Sequence, residues 1–209
     1  DNVGPDMVKL IRTAVSQKPD ALALPNWVSS AQNPEIKKAI AAGIPVFLYN
    51  AGQEQLEATG AKAYIGTNEY QAGITLGKYL ASKGAKHGLC INTSPGSANI
   101  KQRCDGMAEG MKSGGGKGET LELPATKFGD ATAISNAVKG ALTTDASIDA
   151  VFTIASVDTD AANAGIEADF LLANDRYNRH IGEKSGVRFV SKILSAGYCP
   201  DPHYLSHIQ

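Results

Sequence analysis

The sequence predicts an α/β fold in which parallel sheets carry helices on both faces. Three observations support this. Helix-like and strand-like segments alternate as far as residue 168, the strand-like segments are short and apolar on both faces, and Gly, Pro or Asn marks most junctions. A chain of 209 residues can bury a large core, as one big domain or two small ones.

Residues 7–15 read as a helix, because Met7, Leu10, Ile11, Ala14 and Val15 recur at the spacing of one apolar face. Pro19 ends it, since proline cannot continue a helix and restricts the residue before it. Residues 21–24 form an all-apolar strand stopped by Pro25-Asn26. Pro34 suits a first helical turn with Asn33 as its cap; Ile36, Ala39 and Ile40 line one face, and Gly43 terminates the helix. Residues 44–49 give the next strand. A helix over 69–82, closed by Gly84, leads to a strand over 87–92 and a helix over 100–111. After the glycines at 114–116 come a strand over 119–123 and a helix capped by Asp130, with Ile134, Ala137, Val138 and Ala141 as its inner stripe. A strand over 148–154 and a helix over 159–168 complete the series. Each βαβ crossover is expected to be right-handed.

Hydrophobic residues make up 43% and charged residues 20%, an ordinary globular composition. Lys+Arg number 20 against 21 Asp+Glu, and no basic run exceeds Lys37-Lys38, which leaves no electrostatic footprint for nucleic acid. No segment approaches the roughly 20 apolar residues of a membrane span, so no direct membrane insertion is expected. No basic-then-apolar leader opens the sequence, so a signal peptide is absent from this chain.

Cys90, Cys104 and Cys199 have no CxxC spacing; Cys90 is either a small core residue or the partner of Cys104 in a disulfide. His87, His180, His203 and His207 show neither HExxH nor a His-Cys-Glu zinc spacing. Residues 94–97 and 114–118 form neither a nucleophile elbow nor a Walker loop. No catalytic residue, metal or cofactor is therefore expected.

In parallel sheets, ligands bind outside the carboxyl ends of the strands. The candidates at those positions are Asn26, Asn50, the 93–103 loop, Phe128 and Asp158. Asp158 also precedes a helical run, where an aspartate serves as a cap.

The ordered segments KPDALALP, PEIKKAIAAGIPVFLYNAG, YIGTNEYQAGITLGKYL, GSANIKQRCDGMAEGM and SIDAVFTIASVDTDAANAGIEA resemble the type I periplasmic sugar-binding proteins. These are the solute-binding components of ABC importers, similar to ribose-binding protein. The likeness runs from Met7 to Ala168. It implies two Rossmann-like lobes with a ligand cleft between them: residues 1–66 as a partial N-terminal lobe, 67–170 as a C-terminal lobe, and 171–209 as an unmatched tail. The family's opening strand and C-terminal return segments are expected to be missing or altered.

The same resemblance implies that Arg103 grips sugar hydroxyls, Phe128 stacks on the sugar face, and Asn50 and Asp158 bind hydroxyls. The chemistry suits those roles: a rigid fork of donors, an apolar plane and paired polar atoms. Where ribose-binding members carry an arginine after the residue matched by Asn50, this chain has Ala51, which argues against ribose itself. The implied partners are a small sugar or polyol and the membrane permease of an ABC importer, in the periplasm. The alternative is the effector-binding domain of a sugar-responsive transcription regulator of the same fold.

Overall fold

The computed structural model describes residues 3–172. Residues 173–209 of the expected tail lie outside the described residues, and with them Cys199, His180, His203 and His207. The chain forms two compact units: the first holds residues through Tyr70 together with Gly96–Gln102, and the second holds Gln71–Pro95 and the residues from Arg103 on.

The first unit runs α1 (Val3–Ser16), β1 (Leu22–Leu24), α2 (Ser29–Ala41), β2 (Val46–Tyr49), a 3₁₀ turn (Gln53–Gln55), the single turn α3 (Leu56–Thr59) and β3 (Tyr64–Ile65). Its strands pair in parallel in the order β1-β2-β3, with Leu22 opposite Val46 and Leu48 opposite Tyr64. Ile11, Leu24, Ile36, Ala39, Val46 and Leu48 form the buried core. Each large aliphatic side chain removed from water there contributes about 1.5–3 kcal/mol.

One expectation fails here. Pro34 does not open α2 but sits inside it, and Asn33 is not its cap. The helix starts five residues earlier because Gln32 ties its entry: the Val28 N–H donates to Gln32 Oε1 at 2.9 Å, and Gln32 Nε2 donates to the Pro25 carbonyl at 2.7 Å. Pro34 is the sixth residue of α2, so it lacks the N–H that would reach the Ser30 carbonyl, and the helix continues through it with that one bond missing.

The second unit contains α4 (Glu69–Ser82, from Gln71 on), β4 (His87–Asn92), α5 (Ala98–Met111, from Arg103 on), β5 (Lys117–Glu122), α6 (Ala131–Thr144), β6 (Ala150–Phe152) and α7 (Ser156–Leu172). The parallel sheet has the order β5-β4-β6. β4 is central and every one of its residues is buried. β5 departs from the expectation of strands apolar on both faces: it lies at the edge in this sheet, and Lys117, Glu119, Thr120 and Glu122 are exposed. The core gathers Leu89, Ile91, Val151 and Leu123 from the sheet side with Ile134, Val138 and Leu142 of α6. Asp130 caps α6 as expected, accepting from the Ala133 N–H at 2.9 Å.

Two features fix α5. Cys90 of β4 and Cys104 of α5 form a disulfide, both fully buried, which settles the two readings of Cys90. Gly77 of α4 also meets α5 closely, since a Cβ there would overlap the Met107 carbonyl oxygen and lie 2.8 Å from the Met111 nitrogen. Gly73 makes a similar approach to Arg103 and Met107.

Candidate functional site

In the first unit, the carboxyl ends of β1 and β2 bring Asn26 and Asn50 together. The Asn26 N–H donates to the Ala51 carbonyl at 3.1 Å, so the two strand exits are zipped two residues past the sheet. Gly52 allows that closeness: its φ is +101°, and a Cβ there would lie 2.6 Å from that of Asn26. Asn26 is fully buried; its Nδ2 donates to Asn33 Oδ1 at 2.8 Å, and Asn33 Nδ2 donates to Gln55 Oε1 at 2.8 Å. The Asn26 Oδ1 has no hydrogen-bond partner among the described residues. A buried acceptor left unpaired costs about 1–3 kcal/mol.

Asn50 is exposed and held at φ +61°, the left-handed region that asparagine tolerates better than most residues. Its Oδ1 accepts from the Trp27 indole N–H at 2.8 Å. The Tyr64 hydroxyl lies 3.1 Å from the Asn50 carbonyl and 2.8 Å from that of Thr67. Asn50 thus has a fixed backbone and an oriented amide beside an aromatic ring.

In the second unit the order β5-β4-β6 places a topological switch between β4 and β6, because the connections from β4 and β5 leave on opposite sides. Thr93 follows β4 and Asp158 lies beyond β6; the Thr93 hydroxyl donates to Asp158 Oδ2 at 3.0 Å, and both are buried. Burial raises the Asp158 carboxyl above the usual carboxylate range, and the Thr93 bond only partly offsets this. Asp158 is not a helix cap, contrary to the expectation. α7 already begins at Ser156, which puts Asp158 inside the first turn with its carboxylate turned to Thr93.

Arg103 is buried on α5, not spread over solvent. Phe128 is 68% exposed, at the end of the 3₁₀ turn Ala125–Lys127. The structure therefore joins Asn26 with Asn50 and gives Asp158 a partner in Thr93. The supporting residues Asn33, Gln55 and Trp27 carry no spacing signal, because each acts across a loop and not along an element.

The profile of the periplasmic binding protein domain matches residues 1–175. The xylose/arabinose-binding protein XylF of Sulfolobus acidocaldarius is 33% identical over 111 residues, which is 48% of this chain and 27% of that protein. The chain thus spans little more than a quarter of this curated relative. Among solved structures, a carbohydrate transporter from Acidothermus cellulolyticus 11B, in complex with myo-inositol, aligns at TM-score 0.74 and 26% identity, covering 94% of this chain and 72% of that one. The periplasmic sugar-binding protein of an ABC sugar transporter from Legionella pneumophila aligns at TM-score 0.70 and 20% identity over 91% of this chain and 70% of that one, a likeness of fold.

Proposed function

The chain belongs to the periplasmic binding protein domain family, and from that premise we propose that it captures a sugar or similar polyol in the periplasm for an ABC importer. The observation that carries this reading is the myo-inositol complex of the Acidothermus relative, whose likeness extends over nearly the whole chain. A cyclic polyol presents a ring of hydroxyls, each of which needs a partner once shut away from water. We assign that task to Asn50, Asn26, Arg103 and Asp158, with Phe128 offering an apolar plane to the C–H face of the ring.

The local structure supports the assignment. The unpaired Asn26 Oδ1, the oriented Asn50 amide and the raised Asp158 carboxyl are polar groups held in place before any ligand arrives. Pre-organisation of this kind reduces the entropy cost of binding. The buried Cys90–Cys104 disulfide suits an oxidising compartment such as the periplasm.

A calorimetric screen of pentoses, hexoses and inositols tests the reading. One of these classes should bind saturably at one site per chain. Arg103→Ala should weaken the best ligand by about 10- to 150-fold, the worth of hydrogen bonds to a charged group. Lys101→Ala, about 200° round the same helix, should leave affinity within twofold. Absence of any heat across the screen would overturn the sugar reading, and equal losses in both variants would reduce the Arg103 role to diffuse charge.

A further inference from the structure

At the amino end of the second unit's sheet, away from the Thr93–Asp158 edge, a second polar cluster surrounds His87. This residue opens β4 and is 2% exposed. Its Nδ1 lies 2.9 Å from Ser147 Oγ and 3.6 Å from Asp145 Oδ2. The Ser147 hydroxyl gives its only hydrogen to Asp145 Oδ1 at 2.6 Å. Ser147 Oγ can then only accept from His87, which places the imidazole hydrogen on Nδ1. With that hydrogen on Nδ1, the nitrogen open to a ligand is Nε2.

The Nε2 lone pair has no hydrogen-bond partner among the described residues, and Glu119 Oε1 of the neighbouring strand lies 3.4 Å away. A lone pair facing a carboxylate at this distance is repulsive unless something positive stands between them. Asp145 brings a second carboxylate to the cluster, its Oδ1 held by the Ser147 N–H at 2.8 Å as well as by the Ser147 hydroxyl. The donor atoms of His87, Glu119 and Asp145 all fall within 4.8 Å of one another.

We propose that His87, Glu119 and Asp145 form a binding site for one divalent transition-metal cation of zinc's class. One imidazole nitrogen with carboxylate oxygens is a zinc-type donor set, whereas calcium and magnesium take oxygens alone. The hydrogen bond from the far ring nitrogen to Ser147, whose hydroxyl is held by Asp145 Oδ1, is the usual device that orients a metal-binding histidine, and it leaves Asp145 Oδ2 as the oxygen that must turn toward the cation. Metal–ligand distances near 2.0–2.2 Å require the donors to draw in slightly. The half-exposed Glu119 and Asp145 side chains are able to do so. Two other charged groups complete the surroundings. Lys117 Nζ stands 4.0 Å from Asp145 Oδ2, which makes Glu119 the stronger ligand, and Asp149 is engaged by the Lys86 and His87 N–H groups. A bound cation would staple β4, β5 and the α6–β6 connection together, separately from sugar capture.

The test is titration of chelator-stripped, sugar-free protein with zinc chloride, by calorimetry and by thermal melting. One zinc should bind per chain and raise the melting temperature. His87→Gln should abolish uptake, and Glu119→Gln, on a half-exposed side chain, should weaken it about tenfold or more without unfolding the chain. A variant with His180, His203 and His207 all changed to Ala should bind zinc as the parent does. Should His87→Gln fail to fold, Glu119→Gln combined with Asp145→Asn carries the test. Zinc uptake unchanged in the Glu119 variant, or lost in the triple variant, would overturn the proposal. So would a melting temperature that ignores zinc and falls only as pH rises through the histidine range, because a proton would then be the cation shared by His87 and Glu119.

Discussion

Asp158→Asn should move stability and affinity in opposite directions. The change preserves shape and removes a charge. Asp158 is 2% exposed and accepts one side-chain hydrogen bond among the described residues, from Thr93 at 3.0 Å. The residual cost of burying an ion in a real protein is several kcal/mol. Against it stand the extra strength of a charge-assisted bond, about 1 kcal/mol, and the favourable first-turn position in α7, about 0.3–1 kcal/mol. Asparagine keeps an acceptor for Thr93 and sheds the desolvation cost, so the unliganded variant should be more stable by about 1 kcal/mol. In a chain of this size that is a melting shift of about 2–4 °C.

Sugar affinity should fall at the same time by about 1.5–3 kcal/mol, because the charged acceptor is gone. Differential scanning calorimetry without ligand and titration calorimetry with the best sugar read the two effects. The pH dependence supplies an internal check. Because the folded carboxyl titrates above its unfolded value, the wild type gains stability as pH falls through the folded pKa, so the advantage of asparagine should narrow there. Thr93→Val, which strips the carboxylate of its bond, should cost about 1–3 kcal/mol. An Asp158→Asn variant that is less stable and binds sugar unchanged would refute the reasoning and make Asp158 a structural residue.

Two further predictions concern stability. Glu35 accepts from Arg12 at 2.8 Å and from Lys38 at 2.9 Å, and the Arg12 bond above all pulls its carboxyl down to about 2. A depressed folded pKa gives stability that is present above the ordinary 4.5 and lost as pH falls from there toward about 2. Both cations are highly exposed, at 64% and 67%, so screening holds the effect to about 1 kcal/mol. Urea melts of wild type and Glu35→Gln should show that gap at neutral pH and its closure in acid; a gap independent of pH would contradict the assignment. The Cys90–Cys104 disulfide closes a loop of sequence separation 14, for which loop entropy predicts about 3 kcal/mol. Reduction or Cys104→Ser should lower the urea midpoint accordingly while Cys199→Ser leaves it alone; equal effects from both serine variants would point to a different pairing.

The sequence by itself determined the α/β class, the helices over 69–82 and 100–111, the buried strand over 87–92 and the Asp130 cap. Each of these rests on the side chains of one contiguous segment: apolar spacing, a proline or glycine stop, or an oxygen within three residues of the N–H it caps. It also pointed to Asn26, Asn50 and Asp158, because position after a parallel strand is a local property. Tertiary structure decided what those residues do. α2 starts early because Gln32 reaches back to Pro25 and Val28, overriding the local preference of Pro34. Asp158 turns from capping to Thr93, 65 positions away, because adjacent parallel strands bring their carboxyl ends together. Cys90 meets Cys104 because α5 packs back onto β4. His87, Glu119 and Asp145 come from two strands and a loop, so no spacing rule could have grouped them. Periodicity records which way a side chain faces, whereas the partner it meets depends on how whole elements pack, and packing energy is summed over the core, not written in any one segment.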